Sequence, residues 1–144
     1  MQVLTNAGQY VEVSQFNPFP VAPASTFTTF LTYPSTAQAA ANTGTSFSTS
    51  AVTSLAVDVN VTVFTGGASP SVTFFVDRFG ADGVWYRTWT STAISTASST
   101  SVVIGPYPTA TGVVTAALTS LARFGWSFAG APTSVTFSAS VVGR

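Results

Sequence analysis

The sequence predicts an all-β protein, an antiparallel β-sandwich of roughly eight to nine strands preceded by an extended N-terminal segment. Three observations carry that expectation. From Leu55 to Phe64, the residues Leu55, Val57, Val59, Val61 and Val63 alternate with Ala56, Asp58, Asn60, Thr62 and Phe64, the period of two that marks a strand with one buried face. Clusters of turn formers, Gly66-Gly67-Ala68-Ser69-Pro70, Gly80-Ala81-Asp82-Gly83 and Ala129-Gly130-Ala131-Pro132-Thr133, separate such runs. The composition is rich in Thr, Ser and Val, and β-branched side chains suit a pleated, half-buried surface.

Taken in chain order, residues 1–24 read as an extended arm or first strand and residues 25–144 as the sandwich. Gln9 to Ser14 and Ser25 to Tyr33 are predicted strands, joined by Phe16-Asn17-Pro18-Phe19-Pro20-Val21-Ala22-Pro23. Its prolines favour an extended path, which suits an arm docking on a neighbour. Ser35 to Ser50 holds almost only Ala, Thr, Ser, Asn and Gly. It offers few large side chains to offset ordering entropy, so a loop is expected, with one short helical turn at Ala37 to Ala41. The runs Leu55–Phe64 and Ser71–Phe79 are expected to form a hairpin, and Val84 to Thr90 a third strand beyond the Asp82-Gly83 turn. Further on, Ser101-Val102-Val103-Ile104 is a short strand closed by Gly105-Pro106-Tyr107-Pro108. Val113 to Leu118 fits either a strand or a helical turn. Leu121–Phe128 and Ser134–Val142 read as a closing hairpin. One repeat is visible: Gly67-Ala68-Ser69-Pro70-Ser71-Val72-Thr73-Phe74 recurs as Gly130-Ala131-Pro132-Thr133-Ser134-Val135-Thr136-Phe137, either two similar edges of one sandwich or a sequence preferred at such turns.

The chemistry open to this chain is narrow. It has 144 residues, no Cys, no His and no Lys, and its only charged side chains are Glu12, Asp58, Asp77, Arg78, Asp82, Arg87, Arg123 and Arg144. Ser and Thr are plentiful, but no His or Lys stands ready as a base to activate them. Asp77 and Asp82 flank a tight turn, where Asp is favoured anyway, and two carboxylates fall short of the six to eight oxygen ligands calcium takes. Four arginines and zero net charge make a shallow footprint for nucleic acid. Uncharged stretches run from Val13 to Val57 and from Thr88 to Ala122, yet polar residues interrupt both well short of the roughly 18 apolar residues that span a bilayer. A small outer-membrane barrel fits less well, since its lumen face would be almost uncharged. The expectation is therefore no enzyme, no catalytic residue, no metal, no cofactor, no nucleic acid and no membrane. The first residues, Met1-Gln2-Val3-Leu4-Thr5-Asn6, carry no basic, apolar leader pattern, which reads as a product made in the cytoplasm. A protein with so little charge has little to keep copies apart, which favours life in an assembly.

The aromatic residues supply the candidate binding groups. Trp85, Arg87 and Trp89 fall on one face of a strand and Val84, Tyr86 and Thr88 on the other, so two indoles and a guanidinium would form a stacking platform. Trp85 and Trp126 are expected in the core, while Trp89 suits either place. The partner-binding set read from sequence is Phe16, Phe19, Tyr86, Arg87 and Trp89.

One further reading comes from resemblance. The runs Val72-Thr73-Phe74-Phe75-Val76-Asp77, Asp82-Gly83-Val84-Trp85-Tyr86, Ala122-Arg123-Phe124-Gly125-Trp126-Ser127-Phe128 and Ser134-Val135-Thr136-Phe137-Ser138, with Gly130 and the closing Val142-Gly143-Arg144, resemble small β-sandwich structural proteins of tailed bacteriophages. The similarity covers about Asp58 to Arg144, and this chain lacks the scattered Lys, Asp and Glu that usually dot the pattern. The resemblance implies a virion protein made in the host cytoplasm, of the head decoration or minor capsid type. It would be a homo-oligomer whose partners are the major capsid protein or other virion proteins. A tail-associated structural protein, or a module binding a host-surface glycan through Tyr86, Arg87 and Trp89, are the alternatives.

Overall fold

The computed structural model describes residues 26–144 and the backbone of two short strands near the N-terminus, Gln2–Leu4 (β1) and Tyr10–Glu12 (β2). These two pair antiparallel as a ribbon of their own. The connector from Phe16 to Pro23, with Phe16 and Phe19, lies outside the described residues.

Two packed sheets form the body, as the sequence predicts. One has four strands in the order Ser46–Ser48 (β4), Leu121–Ala129 (β10), Ser71–Phe79 (β6) and Trp85–Thr90 (β7). The other has five: Thr28–Gln38 (β3), Ser134–Gly143 (β11), Leu55–Thr65 (β5), Ser98–Gly105 (β8) and Val113–Thr115 (β9). Neighbours run antiparallel except β8 and β9, which are parallel. The undecided stretch after Val113 is thus a three-residue strand.

The alternating residues meet between the sheets. Leu55, Val57, Val59 and Val61 from β5 and Val135, Phe137 and Val141 from β11 face Val72, Phe74 and Val76 from β6 and Phe124 and Trp126 from β10, all buried. The rings interlock. Phe74 stacks on Phe124 with centroids 5.9 Å apart, and Phe137 meets Phe74 at 4.9 Å and Trp126 at 5.0 Å edge to face. Each fully buried large apolar side chain contributes about 1.5–3 kcal/mol.

Neither expected hairpin forms. β5 and β6 lie in different sheets, and so do β10 and β11. The turns after Thr65 and Ala129 are corners that carry the chain across the sandwich. Each side of the crossing still finds an antiparallel partner, because β11 returns beside β5 and β6 lies beside β10. The repeated sequence is therefore a pair of equivalent corners, and they touch. A Cβ placed on Gly130, whose φ is +72°, would collide with Ser69 O and sit 2.6 Å from Ala68 O, and one on Gly67 would collide with Gly130 O. Close backbone approach at positive φ explains the glycines. Gly130→Ala is expected to destabilise the protein by about 1–3 kcal/mol, read from the urea midpoint at unchanged m-value.

The stretch 35–50 is more ordered than its composition suggests. β3 continues to Gln38 along the free side of β11, pairing Ala37 with Thr136 and Gln38 with Val135, and no helical turn forms at Ala37 to Ala41. The chain then crosses to the other sheet, where Asn42 bridges Trp126 through two backbone hydrogen bonds of 3.0 and 2.8 Å. Trp126 Nε1 donates to Ala40 O at 2.9 Å. Backbone bonds to neighbouring strands supply what small side chains cannot.

Candidate functional site

The exposed face of the four-stranded sheet holds the densest chemistry among the described residues. β6 turns Val72, Phe74 and Val76 inward, which leaves Phe75, Asp77 and Phe79 on the outer face. Register then assembles a row across three strands, with Arg123 of β10 opposite Asp77 and Asp77 opposite Arg87 of β7. Phe79 faces Trp85 in the adjacent row.

The row is bonded as its order demands. Arg87 Nε donates to Asp77 Oδ1, and Arg123 donates to Asp77 Oδ2 through Nε at 3.1 Å and Nη2 at 3.0 Å. The Asp77 side chain is only 4% exposed, whereas Arg87 is 48% exposed and Arg123 23%. Each guanidinium also lies on an aromatic ring. Arg87 Cζ is 3.7 Å from the Phe75 centroid, and Arg123 Cζ is 4.4 Å from the Trp85 centroid. Trp85 in turn packs on Phe79 with centroids 5.0 Å apart. Phe75 lies flat because β10 places Gly125 opposite it, where an added Cβ would come within 2.6 Å of the ring. A buried carboxylate thus locks two arginines against rings and presents them already oriented.

The expected platform of Trp85, Arg87 and Trp89 is corrected by a β-bulge. Asp77 pairs with Arg87 and Val76 with Trp89, so Thr88 is an extra residue that reverses the alternation beyond it. Trp89 consequently turns inward and packs against the core. Trp85 is the second correction: its ring is half-buried on the outer face, while Trp126 fills the core as expected. The bulge also leaves Thr88 Oγ1 buried without a hydrogen-bond partner. Thr88→Val is expected to leave stability unchanged or raise it slightly, measured by thermal unfolding.

Tyr86 belongs to the turn. Its hydroxyl donates to Asp82 Oδ2, and Val84 N donates to Asp82 Oδ1 at 3.2 Å. These bonds hold the exposed Asp82 carboxyl below the ordinary carboxylate range, the Tyr86 hydroxyl contributing most, and the same bond raises the Tyr86 phenol. A depressed carboxyl adds stability above its unfolded pKa, and that stability fades as pH falls through the folded value. Full solvent exposure keeps the effect small. Tyr86→Phe is expected to move the Asp82 titration upward toward its ordinary value, read by NMR of the side-chain carboxyl.

Of the residues expected from sequence, Arg87 lies at the site, Tyr86 beside it and Trp89 beneath the sheet. Phe75, Asp77, Phe79, Trp85 and Arg123 complete the cluster. The signal for them is Phe75-x-Asp77-x-Phe79, two aromatics flanking a carboxylate on the face that Val72, Phe74 and Val76 leave outside. Among the described residues no three His, Cys, Asp or Glu side chains group as a metal site, and no helix is long and apolar enough to cross a membrane. No protein-family model, curated protein or solved structure matches the chain.

Proposed function

We propose that this protein is a non-enzymatic structural subunit of a phage virion, a decoration or minor capsid protein that packs in many copies and reinforces the head shell. The observation that carries the reading is the Arg123–Asp77–Arg87 row with its stacked rings, on a chain whose net charge is zero. Arginine and large aromatic residues dominate the energetic centres of protein interfaces, because they bury much area with little loss of freedom. Here Asp77 has already restricted both arginines, so a partner surface orders them at reduced entropic cost. The resemblance of the motifs between Asp58 and Arg144 to bacteriophage structural proteins is the support for a virion setting.

A glycan platform gains little support by comparison. With Trp89 turned inward, the outer face offers a single indole, Trp85, and Arg123 lies over it.

The test is sedimentation with particles. Purified protein is mixed at micromolar concentration with heads, and separately with tails, that lack it, and the particles are pelleted. Co-pelleting with heads, weakened by Arg87→Ala, is the expected result. A protein that stays in the supernatant in both mixtures overturns the reading, and one that pellets only with tails moves it there. Trp85-dependent binding on a glycan array would put the adhesion alternative in its place.

A further inference from the structure

We infer that the Arg87 face takes as its partner the opposite face of a second copy, so that copies stack head to tail; this rests on the structural-subunit reading and names the partner of that same site. The outer face of the five-stranded sheet differs from the Arg87 face in shape and charge. Register places Thr32, Ser140, Asp58 and Ser101 in one row across four strands, with Ser138, Asn60 and Ser99 in the next. Side chains this small leave an open trough of about 670 Å³. Asp58 is exposed on its floor and is the one charged residue among the described residues that line it. It makes no hydrogen bond or ion pair among the described residues.

The other face is the complement. Phe79, Trp85 and Arg87 are large where the trough is small. Two guanidiniums against one carboxylate leave the row one positive charge in excess, against the single negative charge of the trough. Arg87 commits its Nε to Asp77, which leaves its Nη groups to meet a carboxylate from outside in the paired geometry that arginine favours.

Charge also selects the symmetry. A two-fold contact between Arg87 faces sets arginine against arginine, and one between troughs sets Asp58 against Asp58, each a like-charge juxtaposition. Joining unlike faces removes both conflicts. Such a contact is heterologous and repeats from copy to copy, closing into a ring or extending as a filament, which suits a subunit present in many copies.

The chain has no cysteine, so introduced thiols report contacts without background. Thr90, exposed on the outer face opposite Phe75, and Ser140, beside Asp58 in the trough, accept cysteine with little change in volume. Thr90→Cys and Ser140→Cys proteins are treated with a flexible bis-maleimide, singly and mixed. Mixed proteins are expected to give cross-linked dimers, single variants none, and the double variant a ladder. Asp58→Arg is expected to weaken association of the cysteine-free chain by about tenfold in sedimentation equilibrium. Cross-linking of either single variant alone, or a native chain that is monomeric at every concentration examined, overturns the head-to-tail contact. Heads that still pellet such a protein would leave the structural reading standing with another partner, and loss of both results removes both.

Discussion

Trp126→Ala is expected to destabilise the protein by about 3–5 kcal/mol, a large share of the roughly 5–15 kcal/mol that holds an ordinary domain folded. The indole is 2% exposed and lies within 5.0 Å of Phe137, 5.5 Å of Tyr33 and 6.3 Å of Phe124, centroid to centroid. Rings on three strands cannot all collapse into the space it leaves, so a cavity term adds to the lost transfer energy. A second loss follows at Ala40, whose carbonyl gives up the indole N–H at 2.9 Å. That bond ties the chain segment crossing from β3 to β4, so hydrogen exchange at residues 39–48 is expected to accelerate more than exchange at β5. Trp126→Phe keeps most of the volume and loses the bond, and is expected to retain the fold while still loosening that crossing. Urea unfolding of both variants, with exchange measured on the phenylalanine protein, separates packing from tethering.

Asp77→Ala is expected to cost about 2–3 kcal/mol and to abolish the partner binding proposed for the Arg87 face. Removing one member of a fully buried ion pair costs about 3–5 kcal/mol because the remaining charge stays desolvated. Here Arg87 is 48% exposed and Arg123 23%, so water recovers part of that loss and the smaller figure applies. The functional loss is the larger signature. Without the carboxylate, the two guanidiniums repel each other and leave the rings of Phe75 and Trp85, and the face loses its preset geometry. The double variant Asp77→Ala/Arg87→Ala is expected to be less destabilised than the sum of the two single variants, since the two residues share one network. Chemical denaturation across that cycle, with particle sedimentation of the same proteins, checks both parts.

Much of the sandwich was legible because burial imposes period two on a strand. Leu55, Val57, Val59 and Val61 point inward as their spacing requires. The same count fails at Val63, which is half exposed, while Phe64 packs on the core. A bulge at Thr62, between the pairs Val61–Phe137 and Val63–Thr136, reverses the phase just as the bulge at Thr88 does on β7. An extra residue in a ladder is a property of two strands together and leaves no local mark in either. Sheet membership is hidden for a similar reason. A Gly- and Pro-rich turn reads alike whether it joins neighbours or carries the chain across the core, and only long-range pairing of β11 with β5 and of β6 with β10 decides. The candidate site was visible only in part. Arg87 was read from its strand, but Trp85 was expected in the core, Phe75 and Phe79 were not singled out, and the meeting of Asp77 with Arg123, 46 positions away, depends on register between β6 and β10.

On the proposed function, partners bind the two outer faces of the sandwich. Hydroxyl-radical footprinting of the isolated protein and of the assembled particle tests that claim most directly, with Phe79 and Trp85 as natural reporters on one face and cysteine at Ser140 on the other. All three sites are expected to be labelled in the chain diluted to the monomer and protected in the assembly. Equal labelling of Trp85 and of the Ser140 position in both states would contradict it.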